Sequence, residues 1–183
     1  LAAPSLINQF QRMVLFSPLF TISGLPFSMR GVRRLTGILR VLGGGGMGLG
    51  GRRSDGPPSF EGNVLTSDPD RFRRNTAIYE QHPELALGSP SIAWVNAACK
   101  AAAMATDSEF LAEIHVPMLF VAAGADRVVS TRAIEDCARR MRSASLLTID
   151  GSRHEILQEA DIYREQMLAA TKAFMLGEVT AEA

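Results

Sequence analysis

The stretch from Pro117 to Gly177 constrains the fold more than any other part of the chain. Met118-Leu119-Phe120-Val121-Ala122 is a short apolar run opened by proline, the pattern of a strand buried on both faces. Ser130 then stands ready to cap a helix whose Ile134, Ala138 and Met141 share one side. A second strand spans Ser145 to Ile149. A last helix follows Asp161, turns Tyr163, Met167, Ala170 and Phe174 inward, and stops at Gly177 as a C-terminal cap. Strands alternating with helices pair in parallel through right-handed crossovers, so the predicted class is α/β. Arg12-Met13-Val14-Leu15-Phe16-Ser17-Pro18, an apolar run closed by proline, is predicted to add a further buried strand.

Residues 20–113 read differently, as an irregular region with three helix-like segments. In the first, Arg33 to Leu42, Leu35, Ile38, Leu39 and Leu42 form an apolar stripe at helical spacing. The second starts at Ser67-Asp68-Pro69-Asp70, with Ser67 as the capping residue, runs through Phe72, Ile78 and Tyr79, and stops before Pro83. The third follows Ser89-Pro90 and puts Ile92, Val95, Cys99 and Ala102 on one face. Gly43 to Pro58, rich in glycine, is predicted to be a flexible loop. It matches G-x-G-x-x-G by density of glycine alone. A dinucleotide cradle follows a strand and opens a helix, whereas this stretch follows a helix and runs into Arg52-Arg53-Ser54-Asp55-Gly56-Pro57-Pro58.

Asp126 and His154 each come just after a predicted strand and lie 28 residues apart. In parallel sheets the loops at the carboxyl ends of the strands form the site, and both residues fall on that edge. A carboxylate that accepts the Nδ1 proton of a histidine fixes its tautomer and steadies the imidazolium formed when Nε2 takes a proton. Asp150 is the competing acid, but its place on the histidine's own strand suits it to the Asp-Gly turn. Asp126 is therefore the predicted partner, against the plainer reading of a turn aspartate and an unrelated surface histidine. No serine has glycine two residues before and two after it, so no nucleophile elbow is present. His154-Glu155 opens like H-E-x-x-H, but the fifth residue is Gln158, which removes the zinc reading. Glu155 is then a carboxylate lining a pocket or starting the next helix. His82 and His115 are expected to be structural or exposed.

Val116-Pro117-Met118-Leu119-Phe120-Val121-Ala122-Ala123-Gly124-Ala125-Asp126-Arg127-Val128-Val129, followed by Leu146-Leu147-Thr148-Ile149-Asp150-Gly151-Ser152-Arg153-His154-Glu155-Ile156-Leu157-Gln158-Glu159, resembles the C-terminal part of serine α/β-hydrolases. The likeness is to their bacterial lysophospholipase and monoacylglycerol-lipase branch. Val14-Leu15-Phe16-Ser17-Pro18-Leu19-Phe20 looks like the strand after the nucleophile helix, and Leu65-Thr66-Ser67-Asp68-Pro69-Asp70-Arg71-Phe72 resembles a piece of the lid. The resemblance implies the C-terminal part of an α/β-hydrolase fold carrying a mostly helical cap. Residues 1–19 would end the nucleophile helix and form the next core strand, 20–113 the cap over the acyl pocket, 114–177 the α/β core, and 178–183 a tail.

By the same likeness Asp126 is the triad acid and His154 the triad base. The family's nucleophile and oxyanion loop match no position here. The implied activity is hydrolysis of a lipid ester through an acyl-enzyme, without metal or organic cofactor, and the missing N-terminal half of the fold is the implied partner. The chain expressed alone is expected to be inactive and poorly soluble. Peptidases, epoxide hydrolases and dehalogenases share the acid–histidine order, and a truncated chain that pairs with a partner through an open sheet edge is a further alternative.

A formal net charge of +0 gives no reason to expect nucleic acid. No run approaches the roughly 18 apolar residues of a membrane span. Cys99 and Cys137 lack metal-type spacing and read as packed thiols of a reducing, cytoplasmic compartment. Leu1-Ala2-Ala3-Pro4 reads as the tail of a helix, and truncation is the expectation. Arg30, Arg33, Arg34, Arg40, Arg52 and Arg53 span a stretch without an acid, beside the first apolar stripe. That pairing suits a peripheral membrane contact through the cap; a solvated face on a cap packed against the body is the plainer expectation.

Overall fold

The computed structural model describes residues 1, 3–6, 9–25, 27–49, 59–86 and 88–177. In chain order these form β1 (Met13–Phe16), α1 (Met29–Val41), α2 (Pro69–Gln81), α3 (Ile92–Ala105), α4 (Ser108–Ala112), β2 (Met118–Ala123), α5 (Thr131–Arg140), β3 (Ala144–Ile149) and α6 (Asp161–Leu176). Short 3-10 turns lie at Ala3–Leu6, Gly44–Gly46, Pro83–Leu85 and Ile156–Gln158. The chain divides into two compact units. One holds Leu1–Gly24, Val64–Asp68 and the stretch from Ala102 onward; the other holds Leu25–Asn63 and Pro69–Ala101.

The first unit is built on a parallel sheet in the order β1-β2-β3. Met13 pairs with Met118 and Phe16 with Val121, while Met118 pairs with Ala144 and Ala123 with Ile149. Every residue of β2 is buried, which explains why its sequence is continuously apolar rather than alternating. Successive side chains of a strand point to opposite faces. Met118, Phe120 and Ala122 accordingly pack with Ile134, Cys137, Ala138 and Met141 on the α5 side. Leu119, Val121 and Ala123 pack with Ile149, Ile156, Met167 and Phe174 on the α6 side. A fully buried side chain of the size of Phe120 or Ile134 contributes about 1.5–3 kcal/mol. Ser130 caps α5 by accepting from the Ala133 N–H, and Gly177 ends α6 with φ 79°.

In the second unit Ile92, Val95, Cys99 and, one turn on at the unit boundary, Ala102 are all buried, as their spacing predicts. The apolar stripe of α1 is not the face that the helix buries. Val32 and Thr36 are its buried residues, whereas Leu35, Ile38 and Leu42 are 49%, 59% and 76% exposed. The cause is polar. Buried Asn96 of α3 donates through Nδ2 to the Arg33 carbonyl at 2.8 Å and to Thr36 Oγ1 at 3.1 Å. That pair of bonds rotates the Thr36 side of α1 toward α3 and leaves the leucines outward. The glycine-rich loop is also more ordered than predicted over 43–49. Gly48 pairs with Ser91, Ile92 N–H donates to the Met47 carbonyl, and Leu49 N–H donates to that of Pro90. Residues 50–58 of that predicted loop, Arg52 and Arg53 included, lie outside the described residues, as does the 178–183 tail. Among the described residues no helix is long and apolar enough to cross a membrane.

Candidate functional site

Two loops leave the carboxyl ends of β2 and β3. The first begins at Gly124, where the two backbones nearly touch. A Cβ at this position would stand 2.8 Å from Asp150 Cα and 3.0 Å from the Ile149 carbonyl oxygen, so only glycine fits without a shift. Gly124 N–H donates to the Ile149 carbonyl at 2.9 Å, and Ala125 N–H to that of Ser152 at 2.8 Å. Asp126 follows and closes a turn on itself: its Oδ1 accepts from the N–H groups of Val128 at 2.8 Å and Val129 at 2.9 Å. Oδ2 is thereby aimed away from the turn, and it lies 2.8 Å from Nδ1 of His154.

The second loop turns at Asp150-Gly151, with Gly151 at φ 79°. Asp150 is exposed in this turn and is not the residue that meets the histidine. Buried Ser152 folds its hydroxyl back onto the Ile149 carbonyl at 2.8 Å. The Asp126 side chain is 0% exposed and that of His154 24%, so the carboxylate is shielded while the ring keeps an open side.

Electrostatics assign the proton. Burial pushes the Asp126 carboxyl upward, but the hydrogen bond with His154 and those from the Val129 and Val128 N–H groups outweigh it and bring it below the usual carboxylate range. Asp126 is therefore ionised at neutral pH and can only accept. Nδ1 of His154 must carry the hydrogen, which leaves Nε2 of the neutral ring as the acceptor. An imidazole so fixed can take a proton from a nucleophile and return it to a leaving group.

The sequence-predicted pair is thus brought into contact. Glu155 sits beside it, opening the 3-10 turn Ile156–Gln158 without capping it. His82 and His115 are exposed, with His82 Nδ1 3.1 Å from Glu84. Cys99 and Cys137 are buried thiols, each pushed above its ordinary value by burial.

Residues that the sequence reading passed over hold the histidine loop. Glu159 is 0% exposed. Its Oε1 accepts the Arg153 N–H at 2.7 Å, and its Oε2 accepts the N–H groups of Ser67 at 3.0 Å and Ala160 at 3.1 Å, together with the Ser67 hydroxyl. The Ser67 hydroxyl, which stands just before α2, donates to a carboxylate 92 residues away. Glu155 N–H donates to the Leu65 carbonyl at 2.8 Å, Arg153 Nη1 to that of Thr66 at 2.9 Å, and Thr66 Oγ1 to that of Gln158 at 2.6 Å. From the other side, Ser17 Oγ donates to the His154 carbonyl at 3.0 Å. The available signals were weak: Ser17 stands directly after a strand on the same sheet edge, and Glu159 is an acid in an otherwise apolar turn.

Comparison with known proteins gives the family. The family described as "Serine aminopeptidase, S33" matches residues 2–161. "Probable lysophospholipase L2" of Haemophilus influenzae is 24% identical over 168 residues, which are 92% of this chain and 52% of that protein. "Lysophospholipase L2" of Escherichia coli strain K12 is 32% identical over 123 residues, 63% of this chain and 35% of that protein. The chain thus spans about half the length of the first of these relatives and less of the second. Among solved structures, a soluble variant of monoglyceride lipase from Saccharomyces cerevisiae superposes with a TM-score of 0.68 at 15% identity, covering 98% of this chain and 58% of that one. At such identity the likeness is one of fold, and it makes the parallel strands and flanking helices part of an α/β-hydrolase fold. The chain belongs to the serine aminopeptidase S33 family of α/β-hydrolases, and bacterial lysophospholipases are among the proteins to which it is similar.

Proposed function

We propose that this chain supplies the acid and the base of a serine carboxylic-ester hydrolase whose substrates are lysophospholipids or monoacylglycerols. The observation that carries the reading is the 2.8 Å contact between His154 Nδ1 and the buried Asp126 carboxylate. His154 takes the proton of a serine during attack on the ester carbonyl and passes it to the leaving alcohol. It then activates water to hydrolyse the acyl-enzyme, with Asp126 orienting the ring throughout. The nucleophile and the oxyanion donors come from outside these 183 residues. Loss of one oxyanion donor alone costs about 10²–10³ in rate, so the chain in isolation does not turn over ester.

The test is made on the complete protein encoded by the extended reading frame. Hydrolysis of lysophosphatidylcholine or monoacylglycerol is expected to fall to background in His154→Ala. A serine-directed fluorophosphonate is expected to label the parent. No labelling, with turnover of an epoxide or haloalkane, would replace the serine by an aspartate nucleophile and end this reading. Faster cleavage of a dipeptide amide than of any ester would move the chemistry to the peptidases of the family.

The second unit is assigned contact with an anionic lipid surface. Support comes from α1, where Leu35, Ile38, Val41 and Leu42 are 49%, 59%, 84% and 76% exposed beside the exposed Arg33, Arg34 and Arg40. An outward apolar stripe rimmed by arginines matches an interfacial helix. Vesicles containing phosphatidylglycerol are expected to co-sediment the complete protein, and neutral phosphatidylcholine vesicles are not. Equal sedimentation by both, or binding unaltered by Ile38→Glu with Val41→Glu, would remove the lipid surface from the account.

A further inference from the structure

We propose that Ser17 is a positioning residue for the imidazole of His154, and that its strained backbone is kept for that purpose. The inference rests on the reading of His154 as the catalytic base. Ser17 follows the last residue of β1 and continues its ladder, with its N–H donating to the Val121 carbonyl at 2.9 Å. Its φ is +40°, and it is the one non-glycine residue with positive φ among the described residues. Pro18 comes next, and a following proline already disfavours helical backbone in the residue before it. Glycine would hold this conformation without penalty. A serine stays here at a cost, and residues held in such conformations cluster at functional sites.

What the serine adds over glycine is one hydroxyl. Buried at 7% exposure, Ser17 donates through Oγ to the His154 carbonyl at 3.0 Å. That carbonyl shares a peptide plane with the Glu155 N–H, which donates to the Leu65 carbonyl at 2.8 Å. The plane leaving His154 is thus pinned at its oxygen by β1 and at its nitrogen by the 64–68 segment. On the other side of His154, the Arg153 N–H is held by Glu159 at 2.7 Å. Rotating the backbone at His154 enough to carry Nδ1 off Asp126 requires breaking at least one of these bonds. Removing the Ser17 hydroxyl frees the oxygen end, where only the Ile156 N–H remains, at 3.1 Å. Misplacement of a reacting group by about 1 Å costs on the order of a hundredfold in rate.

Two variants of the complete protein separate positioning from stability. Ser17→Ala keeps the strain and loses the donor; Ser17→Gly relieves the strain and loses the same donor. Turnover is measured per active site counted with a fluorophosphonate, so that only folded molecules enter the rate. Both variants are expected to lose kcat by about tenfold to a hundredfold with KM within about twofold of the parent. Ser17→Gly is expected to melt at or above the temperature of Ser17→Ala. The downfield proton resonance of the His154 Nδ1–H should broaden in both.

Parental kcat in Ser17→Gly, alongside an inactive His154→Ala, would overturn the role of Ser17 and leave the base assignment standing. Activity that returns in step with melting temperature from alanine to glycine would equally overturn it, since a purely structural residue behaves so. Full activity in His154→Ala would instead remove the base assignment, and the inference with it.

Discussion

Replacing Glu159 in the complete protein measures how firmly the histidine loop is anchored. The carboxylate accepts from the N–H groups of Arg153, Ser67 and Ala160 and from the Ser67 hydroxyl. A buried donor left without its acceptor costs about 1–3 kcal/mol, and a bond to a charged group contributes about 1.5–3 kcal/mol net. The sum for Glu159→Ala is about 3–5 kcal/mol. Glu159→Gln keeps the shape but turns an amide NH₂ toward a donor on one branch, which should cost about 2 kcal/mol. Urea denaturation at neutral pH, followed by circular dichroism, reads both differences as midpoint shifts at constant slope. If Glu159→Gln lies within about 0.5 kcal/mol of the parent and Glu159→Ala loses less than about 1 kcal/mol, the carboxylate does not hold the loop and the reasoning fails.

Three further outcomes follow from the geometry of the site. Gly124→Ala should cost about 1–3 kcal/mol, because its Cβ meets backbone at 2.8 Å rather than a movable side chain; a stability equal to the parent would mean that β3 yields freely there. Asp126 has a depressed folded-state pKa, so its contribution to stability is complete above the unfolded carboxylate value and disappears as pH falls through the lower folded value. The acid limb of the stability–pH curve, measured by thermal melts, should therefore flatten in Asp126→Asn. An unchanged limb would detach the stability from this carboxylate. The same variant should lose about 10⁴ in kcat of the complete enzyme, the magnitude expected when the acid no longer fixes the histidine tautomer, as in the serine-protease precedent.

How much of this was legible beforehand depends on how local the cause is. The face of α5 with Ile134 and Ala138, the cap Ser130 and the stop at Gly177 are each determined within one turn of helix, and periodicity exposes them. The Asp126–His154 contact is long-range, yet it was readable because strand order on a parallel sheet sends both residues to one edge. For α1, spacing identified an apolar stripe but could not say whether that stripe faces inward, which Asn96 decides from a different helix. For Ser67, the local pattern of acids and proline marks a helix start but says nothing of the hydroxyl's donation to Glu159. Ser17 and Glu159 carry only weak signals for the same reason: the His154 carbonyl and Ser67 lie 137 and 92 residues from them, and nothing in F-S-P or I-L-Q-E names those partners.

The five residues Val64–Asp68 belong with the sheet-bearing unit, although the chain on both sides of them belongs to the other. The insertion is therefore stitched in two pieces. An engineer who excises 25–101 as a single block, or swaps that block between homologues, also cuts away the Leu65 carbonyl and the Ser67 donors on which the imidazole's loop depends. Breakpoints at 63/64 and 68/69, which keep the stitch in place, are the ones at which recombination leaves the His154 loop's hydrogen bonds intact.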